Sequence, residues 1–129
     1  MINLHNKTLE SLEFTLVLEQ VSSYCITILG EEKVLSIIPF TKNEDIKPEL
    51  SRVKEFAASL SGENGIPNHG FEIIEKELFL LGIENSTLEI LGFRRILSVT
   101  STTQILIKFF KKFETFYIQL NSLSETIAY

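Results

Sequence analysis

The stretch "RRILSVTSTTQILIKFF", residues 94–110, decides the fold class. It is rich in valine, isoleucine, threonine and phenylalanine, so by residue propensity alone it could form one or two strands. Two observations favour a single helix instead. The preceding "STLE" at 86–89 has the form of a capping box, and neither glycine nor proline occurs after Gly92. We therefore predict one helix from about 86 to Lys112 and an all-α fold.

Composition agrees with a helical protein in a reducing compartment. Sixteen of the 17 acidic residues are glutamate, which tolerates helix interiors better than aspartate does. The single Cys25 excludes an internal disulfide framework, and no apolar run reaches the length of a membrane span. These features predict a cytoplasmic protein. The net charge of −5 argues against strong nucleic-acid binding by the chain alone.

Towards the N-terminus, "SSYCITILGEEKVL" at 22–35 raises a second question about the fold. Gly30 could be a strand-to-helix turn, as in nucleotide-binding proteins, or a small residue in the first turn of a tightly packed helix. The chain contains neither "GxxxxGK[ST]" nor a dinucleotide-binding fingerprint, so the second interpretation is favoured. Thr27 is the predicted N-cap of this helix, because its hydroxyl can reach the amide of Gly30.

The middle of the chain predicts a helix and then a loop. Pro48 suits the first position of a helix, and an apolar stripe at Leu50, Val53, Ala57 and Leu60 is expected to face inward. The turn-rich segment "GENGIPNHG" at 62–70 is the one candidate internal boundary. Because each side of that loop looks too small for its own core, we predict a single helical domain over 1–129.

A last helix is expected from about Thr115. Its predicted inward residues recur at helical spacing: Phe116, Leu120, Leu123 and Ile127. No stop signal follows it, which predicts that the chain is a fragment of a longer protein.

The search for chemistry in the sequence finds no catalytic, cofactor-binding or metal-binding residues. The two histidines, His5 and His69, and one cysteine are too few for a zinc site. Glutamates such as those at 72, 75 and 77 more often lie on exposed helix faces than in acid–base pairs. A candidate nucleic-acid surface is formed by five basic residues with phenylalanines between them: Arg94, Arg95, Lys108, Lys111 and Lys112. The alternative is that the aromatic residues are core and that the lysines complement a helix C-terminus.

The order of several motifs resembles a known family. These motifs are "KTLESLEF" (7–14), "SSYCITILGEEKV" (22–34), "GIPNHGFEII" (65–74) and "STLEILGFRRIL" (86–97). Together they are similar to the start of MutS-family proteins of the second type. Thr27, Leu29 and Gly30 match the family's second helix start, while Ile28 replaces its proline.

The resemblance implies an irregular multi-helix bundle, the N-terminal core and lever region that links a DNA-embracing clamp to an ATPase. The fragment itself would not be an enzyme, and ATP, Mg²⁺ and a nuclease domain would belong to the rest of the parent chain. The implied partners are the rest of its own chain, a second copy in a homodimer, and DNA or the ribosome. The implied roles include DNA mismatch repair and recombination suppression. The alternative is a self-contained helical protein–protein interaction module with no nucleic-acid role.

Overall fold

The computed structural model describes residues 6–62 and 64–126. In these two ranges every regular secondary-structure element is a helix, and the helices are joined by loops and turns. The helices are α1 (Asn6–Ser11), α2 (Phe14–Ser22), α3 (Ile28–Leu35), α4 (Asn43–Ser61), α5 (Glu75–Leu81), α6 (Ile90–Lys112) and α7 (Ile118–Ser124). The predicted all-α fold is confirmed. The stretch at 94–110 lies wholly within α6, so its strand-forming residue types are overridden by the helical context.

The Cα positions group into two compact units, Met1–Leu50 and Ser51–Tyr129, and the division falls inside α4. Each unit is described separately. The interpretation of the chain as a single domain stays a prediction, because compact clustering alone does not test whether either unit folds without the other.

In the first unit, α2 packs against both α1 and α3. Thr27 is the N-cap of α3, as predicted, and its Oγ1 accepts a hydrogen bond from the Gly30 amide at 3.1 Å. A Cβ on Gly30 would lie 3.0 Å from that hydroxyl oxygen and 3.5 Å from the Cβ of Cys25. Glycine therefore lets the first turn of α3 lie close to the segment that follows α2, which agrees with the packing interpretation.

The second unit is organised around the end of α6. Here α6 packs against α5 and α7, and the side chain of Tyr117, the residue before α7, is fully buried. The Tyr117 hydroxyl donates a hydrogen bond to the carbonyl oxygen of Asn64 at 2.6 Å. Because Asn64 lies in the predicted loop 62–70, this bond fixes that loop to the α6–α7 corner.

Two helix starts differ from their predictions. The "STLE" box does not cap α6, which begins at Ile90 with no side-chain cap; the Ser86 hydroxyl instead donates to the carbonyl of Leu80. Pro48 is not the first residue of its helix, since α4 begins at Asn43 and contains the proline. Acidic residues in the first turn of α4 favour this earlier start, because they complement the helix dipole.

Two predicted inward faces are also wrong. The stripe at Leu50, Val53, Ala57 and Leu60 is exposed, and the buried residue in α4 is Ser59 instead. In the last helix, Phe116 precedes Ile118, the first residue of α7, and its side chain is 57% exposed. Leu120 is half-buried, Leu123 is exposed, and Ile127 lies outside the described residues.

Candidate nucleic-acid interface

All five predicted basic residues lie on α6, and no acidic residue lies between Ile90 and Lys112. The whole chain has 12 basic and 17 acidic residues, so α6 is a cationic helix in an acidic protein. A helix of 23 residues is about 34 Å long. The two arginines lie near the N-terminal end of α6, and the three lysines lie near its C-terminal end.

Three of these residues share one exposed face of α6. Lys108 and Lys112 follow Arg94 by 14 and 18 residues, which places all three within about 40° of one another around the helix. Ser98 and Ser101 lie between them on the same face, and all five side chains are exposed. We call this set the basic face of α6. Its cations span about 27 Å, and its hydroxyl groups can donate hydrogen bonds to phosphate oxygens.

Arg95 lies on a different side of α6 from this face, and its guanidinium group is bound by two carboxylates of the same protein. Its Nε donates to Glu72 Oε2 at 2.7 Å, and its Nη1 donates to Glu77 Oε1 at 2.9 Å. These two bonds connect α6 to α5 and to the segment before α5. The charge of Arg95 is therefore balanced by two carboxylates, although 44% of its side chain is exposed.

Glu77 differs from the exposed helix-face glutamate that its sequence context predicted. Its side chain is 7% exposed, because Gly92 of α6 lacks a side chain where α5 approaches. A Cβ on Gly92 would lie 3.1 Å from Glu77 Cγ. The hydrogen bond from Arg95 lowers the pKa of Glu77 below its ordinary value, while the same bond raises the pKa of Arg95. The residue thus serves as an internal counter-ion of Arg95.

The two remaining lysines have different surroundings. Lys111 is exposed on the flank of the basic face. Lys112 Nζ lies 5.1 Å from the centre of the Phe113 ring, a cation–π arrangement that still leaves the ammonium group in solvent. The exposed face therefore offers Arg94, Lys108 and Lys112, with Lys111 beside them.

The aromatic residues mostly follow the core alternative. The rings of Phe109, Phe110 and Phe116 lie 5.6, 6.0 and 5.0 Å from the ring of the buried Tyr117. Phe109 and Phe110 are half-buried, so they are not free to stack on nucleobases. The basic face can accordingly bind phosphates, while these two rings are unavailable for stacking on bases.

Sequence reasoning missed the carboxylates that matter in this unit. Glu55 of α4 accepts hydrogen bonds from the Gln119 and Leu120 amides, with its Oε2 3.0 Å from each nitrogen. No local signal pairs residues 64 and 65 positions apart, and none pairs Arg95 with Glu72. Within 6–62 and 64–126, no cluster of three or more His, Cys, Asp or Glu side chains is arranged to hold a metal ion. In the same ranges, no helix combines the length and apolar character needed to cross a bilayer.

Comparison with known proteins gives matches to one group. The chain is 35% identical over 75 residues to the protein named endonuclease MutS2 of Bacillus velezensis. It is 25% identical over 127 residues to the protein of that name in Latilactobacillus sakei, and 30% identical over 111 residues to that of Clostridium perfringens. These matches cover 58%, 97% and 86% of this chain.

The chain spans only 10%, 16% and 14% of the lengths of these three relatives. No protein-family model matches the chain, and no solved structure gives a significant match. The sequence matches nevertheless all point to proteins of one name, and one of them covers nearly the whole chain. They support a relation between this chain and the MutS family.

Proposed function

We propose that the chain is the N-terminal core and lever segment of a MutS2-like protein, where it transmits the nucleotide state of an ATPase to a DNA clamp. The observation that carries the proposal is the match to the L. sakei protein, which covers 97% of this chain but 16% of that relative. A segment of this size, in whose described part no His, Cys, Asp or Glu side chains are grouped to hold a metal ion, suits a mechanical role within a larger protein.

The helical architecture supports a transmitting role. The longest described helix, α6, is continuous over 23 residues and contacts both α5 and α7. Its attachment at each end is specific, through Arg95 to two carboxylates and through the aromatic cluster around Tyr117. A rigid helix held at both ends can convert movement of one neighbour into movement of the other.

A segment exchange tests this role. The matched segment of L. sakei MutS2 would be replaced by this chain, and ATP hydrolysis and ATP-dependent DNA binding would be measured. We expect the chimera to retain a response of DNA binding to ATP. A Thr100→Gly/Gln104→Gly chimera weakens α6 by about 1 kcal/mol without changing its charge or the residues of the basic face, and we expect it to lose this response while still hydrolysing ATP. An equal response in both chimeras would contradict the lever role.

We further propose that the basic face contacts the phosphate backbone of DNA. Its support is the exposure of Arg94, Lys108 and Lys112 on a helix without acidic residues. Each phosphate neutralised by such a residue contributes about 0.9 to the slope of log affinity against log salt concentration.

Fluorescence anisotropy with a labelled duplex at several salt concentrations measures that slope. We expect an Arg94→Ala/Lys108→Ala/Lys112→Ala variant to bind more weakly and to lower the slope by about 2–3. The matched control removes three exposed lysines of the first unit, Lys7, Lys33 and Lys42, and should change the slope less. Equal losses in the two triple variants, or no binding at low salt, would exclude a specific contact.

A self-contained interaction module is the second candidate, because exposed apolar side chains occur on α4 and on the first turns of α6. The gene sequence discriminates the two candidates. A reading frame that continues past Tyr129 into a "GxxxxGK[ST]" motif supports the MutS2-like role, whereas a stop codon at that point supports the module.

A further inference from the structure

An exposed ion pair near the start of α6 lies beside the basic face. Arg95 is bound by two carboxylates that differ in their access to water: the side chain of Glu72 is 73% exposed, and that of Glu77 is 7% exposed. Glu77 is held by the close packing of α5 against Gly92, whereas Glu72 lies in the irregular segment before α5. Another anion can therefore replace Glu72 more readily, because solvent screens an exposed ion pair and leaves it weak.

The two carboxylates bind different parts of the Arg95 guanidinium group. Glu72 Oε2 accepts from Nε at 2.7 Å and Glu77 Oε1 accepts from Nη1 at 2.9 Å, so Nη2 takes part in neither ion pair. The N–H groups of Nε and Nη2 project along one edge of the guanidinium plane, and such an edge can bind two oxygens of a phosphate side by side. Glu72 thus occupies the edge that a phosphate would use, while Glu77 fixes the orientation of the group.

Two residues of the basic face lie close to Arg95 on α6. Ser98 follows Arg94 by four residues and Arg95 by three, which places it between the two arginines around the helix, about 40° from the first and about 60° from the second. Along the helix axis the three residues fall within about 6 Å. Because Arg94 and Ser98 are exposed, one anion can be bound by both guanidinium groups and by the Ser98 hydroxyl.

We propose that a phosphate of the DNA backbone displaces Glu72 and binds between Arg94, Ser98 and Arg95. The inference rests on the proposed DNA contact of the basic face and adds Arg95 to that contact, with Glu72 as an internal competitor for the same guanidinium edge. The exchange replaces one anion by another, so the charge of Arg95 is balanced before and after binding. Glu72 therefore lowers the affinity for DNA without contacting the DNA.

Removing the competitor tests the proposal, with fluorescence anisotropy of a labelled duplex at several salt concentrations as the measurement. We expect Glu72→Gln to bind DNA about three- to tenfold more tightly than wild type at low salt, and to raise the slope of log affinity against log salt concentration by up to about 0.9, because the phosphate no longer has to replace a carboxylate. The matched control is Glu75→Gln, which removes the same charge from an exposed residue that is not bound to Arg95. It should change the affinity by less than about twofold, since salt screens a charge that makes no direct contact.

A second change shows whether the gain depends on the guanidinium edge of Arg95. Arg95→Lys keeps the positive charge beside Glu77 but replaces the parallel N–H donors by a single ammonium group. We expect Glu72→Gln/Arg95→Lys to bind DNA within about twofold of Arg95→Lys alone, so that the gain from Glu72→Gln disappears. Circular dichroism confirms that each variant remains helical.

The outcomes separate this inference from the DNA contact on which it rests. If the triple alanine variant of the basic face loses affinity but Glu72→Gln behaves like Glu75→Gln, the competition is overturned while the DNA contact stands. A gain from Glu72→Gln that persists beside Arg95→Lys would also overturn the competition, and absence of duplex binding by every variant would overturn both proposals. The gain should persist when a low concentration of inorganic phosphate is added at constant ionic strength, whereas its loss would assign the site to free phosphate and overturn the assignment to the DNA backbone.

Discussion

Tyr117 is the residue on which the second unit depends most. It is the one apolar side chain that is buried in the described ranges, and three phenylalanine rings lie within 6.0 Å of its ring. Its hydroxyl also binds the carbonyl oxygen of Asn64. A tyrosine suits this position better than a phenylalanine, because the ring fills the core while the hydroxyl reaches a backbone acceptor.

Changing Tyr117 to phenylalanine removes only that hydroxyl. We expect the free energy of unfolding to fall by about 1 kcal/mol, the usual contribution of one such hydrogen bond, as measured by urea denaturation. Tyr117→Ala should cost about 3–5 kcal/mol, because it also leaves a cavity. Tyr24→Phe is the matched control, since Tyr24 is 78% exposed. Equal effects at the two tyrosines would show that the bond to Asn64 does not contribute.

Glu77 predicts a specific sensitivity to acid. Because the bond from Arg95 holds the pKa of Glu77 below 4.5, the ionised side chain stabilises the fold. This contribution is complete above the ordinary pKa and is lost as the pH falls through the lowered value. Glu77→Gln should therefore destabilise the protein at neutral pH, with a difference from wild type that shrinks below pH 4.5. Thermal unfolding at several pH values measures this trend.

The matched control for Glu77 is Glu75→Gln, an exposed glutamate in the first turn of the same helix. It should lower the melting temperature less than Glu77→Gln does at neutral pH. A pH-independent difference between Glu77→Gln and wild type would mean that the ion pair with Arg95 does not stabilise the fold.

At the scale of the elements, α7 is stabilised by a residue from another helix. Tyr117 precedes α7 and provides no side-chain cap. The carboxylate of Glu55 on α4 instead accepts hydrogen bonds from the amides of the second and third residues of α7, Gln119 and Leu120. A negative charge at this position also complements the helix dipole. This contact joins α4 to α7 without a close approach of their backbones.

Removing this cap should loosen α7 selectively. We expect Glu55→Ala to cost about 0.5–2 kcal/mol, as for other helix N-caps, and to speed hydrogen exchange at the amides of Gln119 and Leu120. Glu114→Ala, an exposed change outside the helices, serves as the control and should do neither. Unchanged exchange at Gln119 and Leu120 in Glu55→Ala would count against the cap.

Local signals in the sequence predicted the elements better than the contacts between them. The Thr27 cap and the C-terminal end of α6 at Lys112 were predicted, because each depends on residues within one turn. The "STLE" box was misread, since Ser86 binds the Leu80 carbonyl of the preceding helix end. The periodic stripe of α4 correctly indicated a helix, but periodicity does not state whether a partner covers the stripe.

The candidate site shows the same limit. The sequence places five basic residues on one helix, and helical geometry aligns Arg94, Lys108 and Lys112 on one exposed face. Their contact with nucleic acid stays a prediction. The structure separates Arg95 from the others by pairing it with Glu72 and Glu77. That distinction depends on the packing of α5 against α6, which residue types alone did not indicate.

At the scale of the whole molecule, positive charge is concentrated on the two long helices, α4 and α6, whereas exposed apolar side chains occur throughout the described part of the chain. The basic face lies on α6, while exposed apolar stripes occur on α4 and on the first turns of α6. Monomeric proteins seldom leave such surfaces uncovered unless they bind a partner. Under the proposed function, DNA and the remainder of a longer chain are the candidates to cover these surfaces.

This exposure predicts an unusually small heat-capacity change on unfolding. A globular protein of 129 residues should show about 1.5–1.9 kcal/mol/K. In this chain, large apolar side chains such as Leu60, Ile90 and Leu97 are already mostly in water before unfolding. Calorimetry on the wild-type chain at low concentration should therefore give less than about 1.5 kcal/mol/K. A value in the full globular range would mean that these stripes are covered in the monomer, because the heat-capacity change follows the apolar area newly exposed to water.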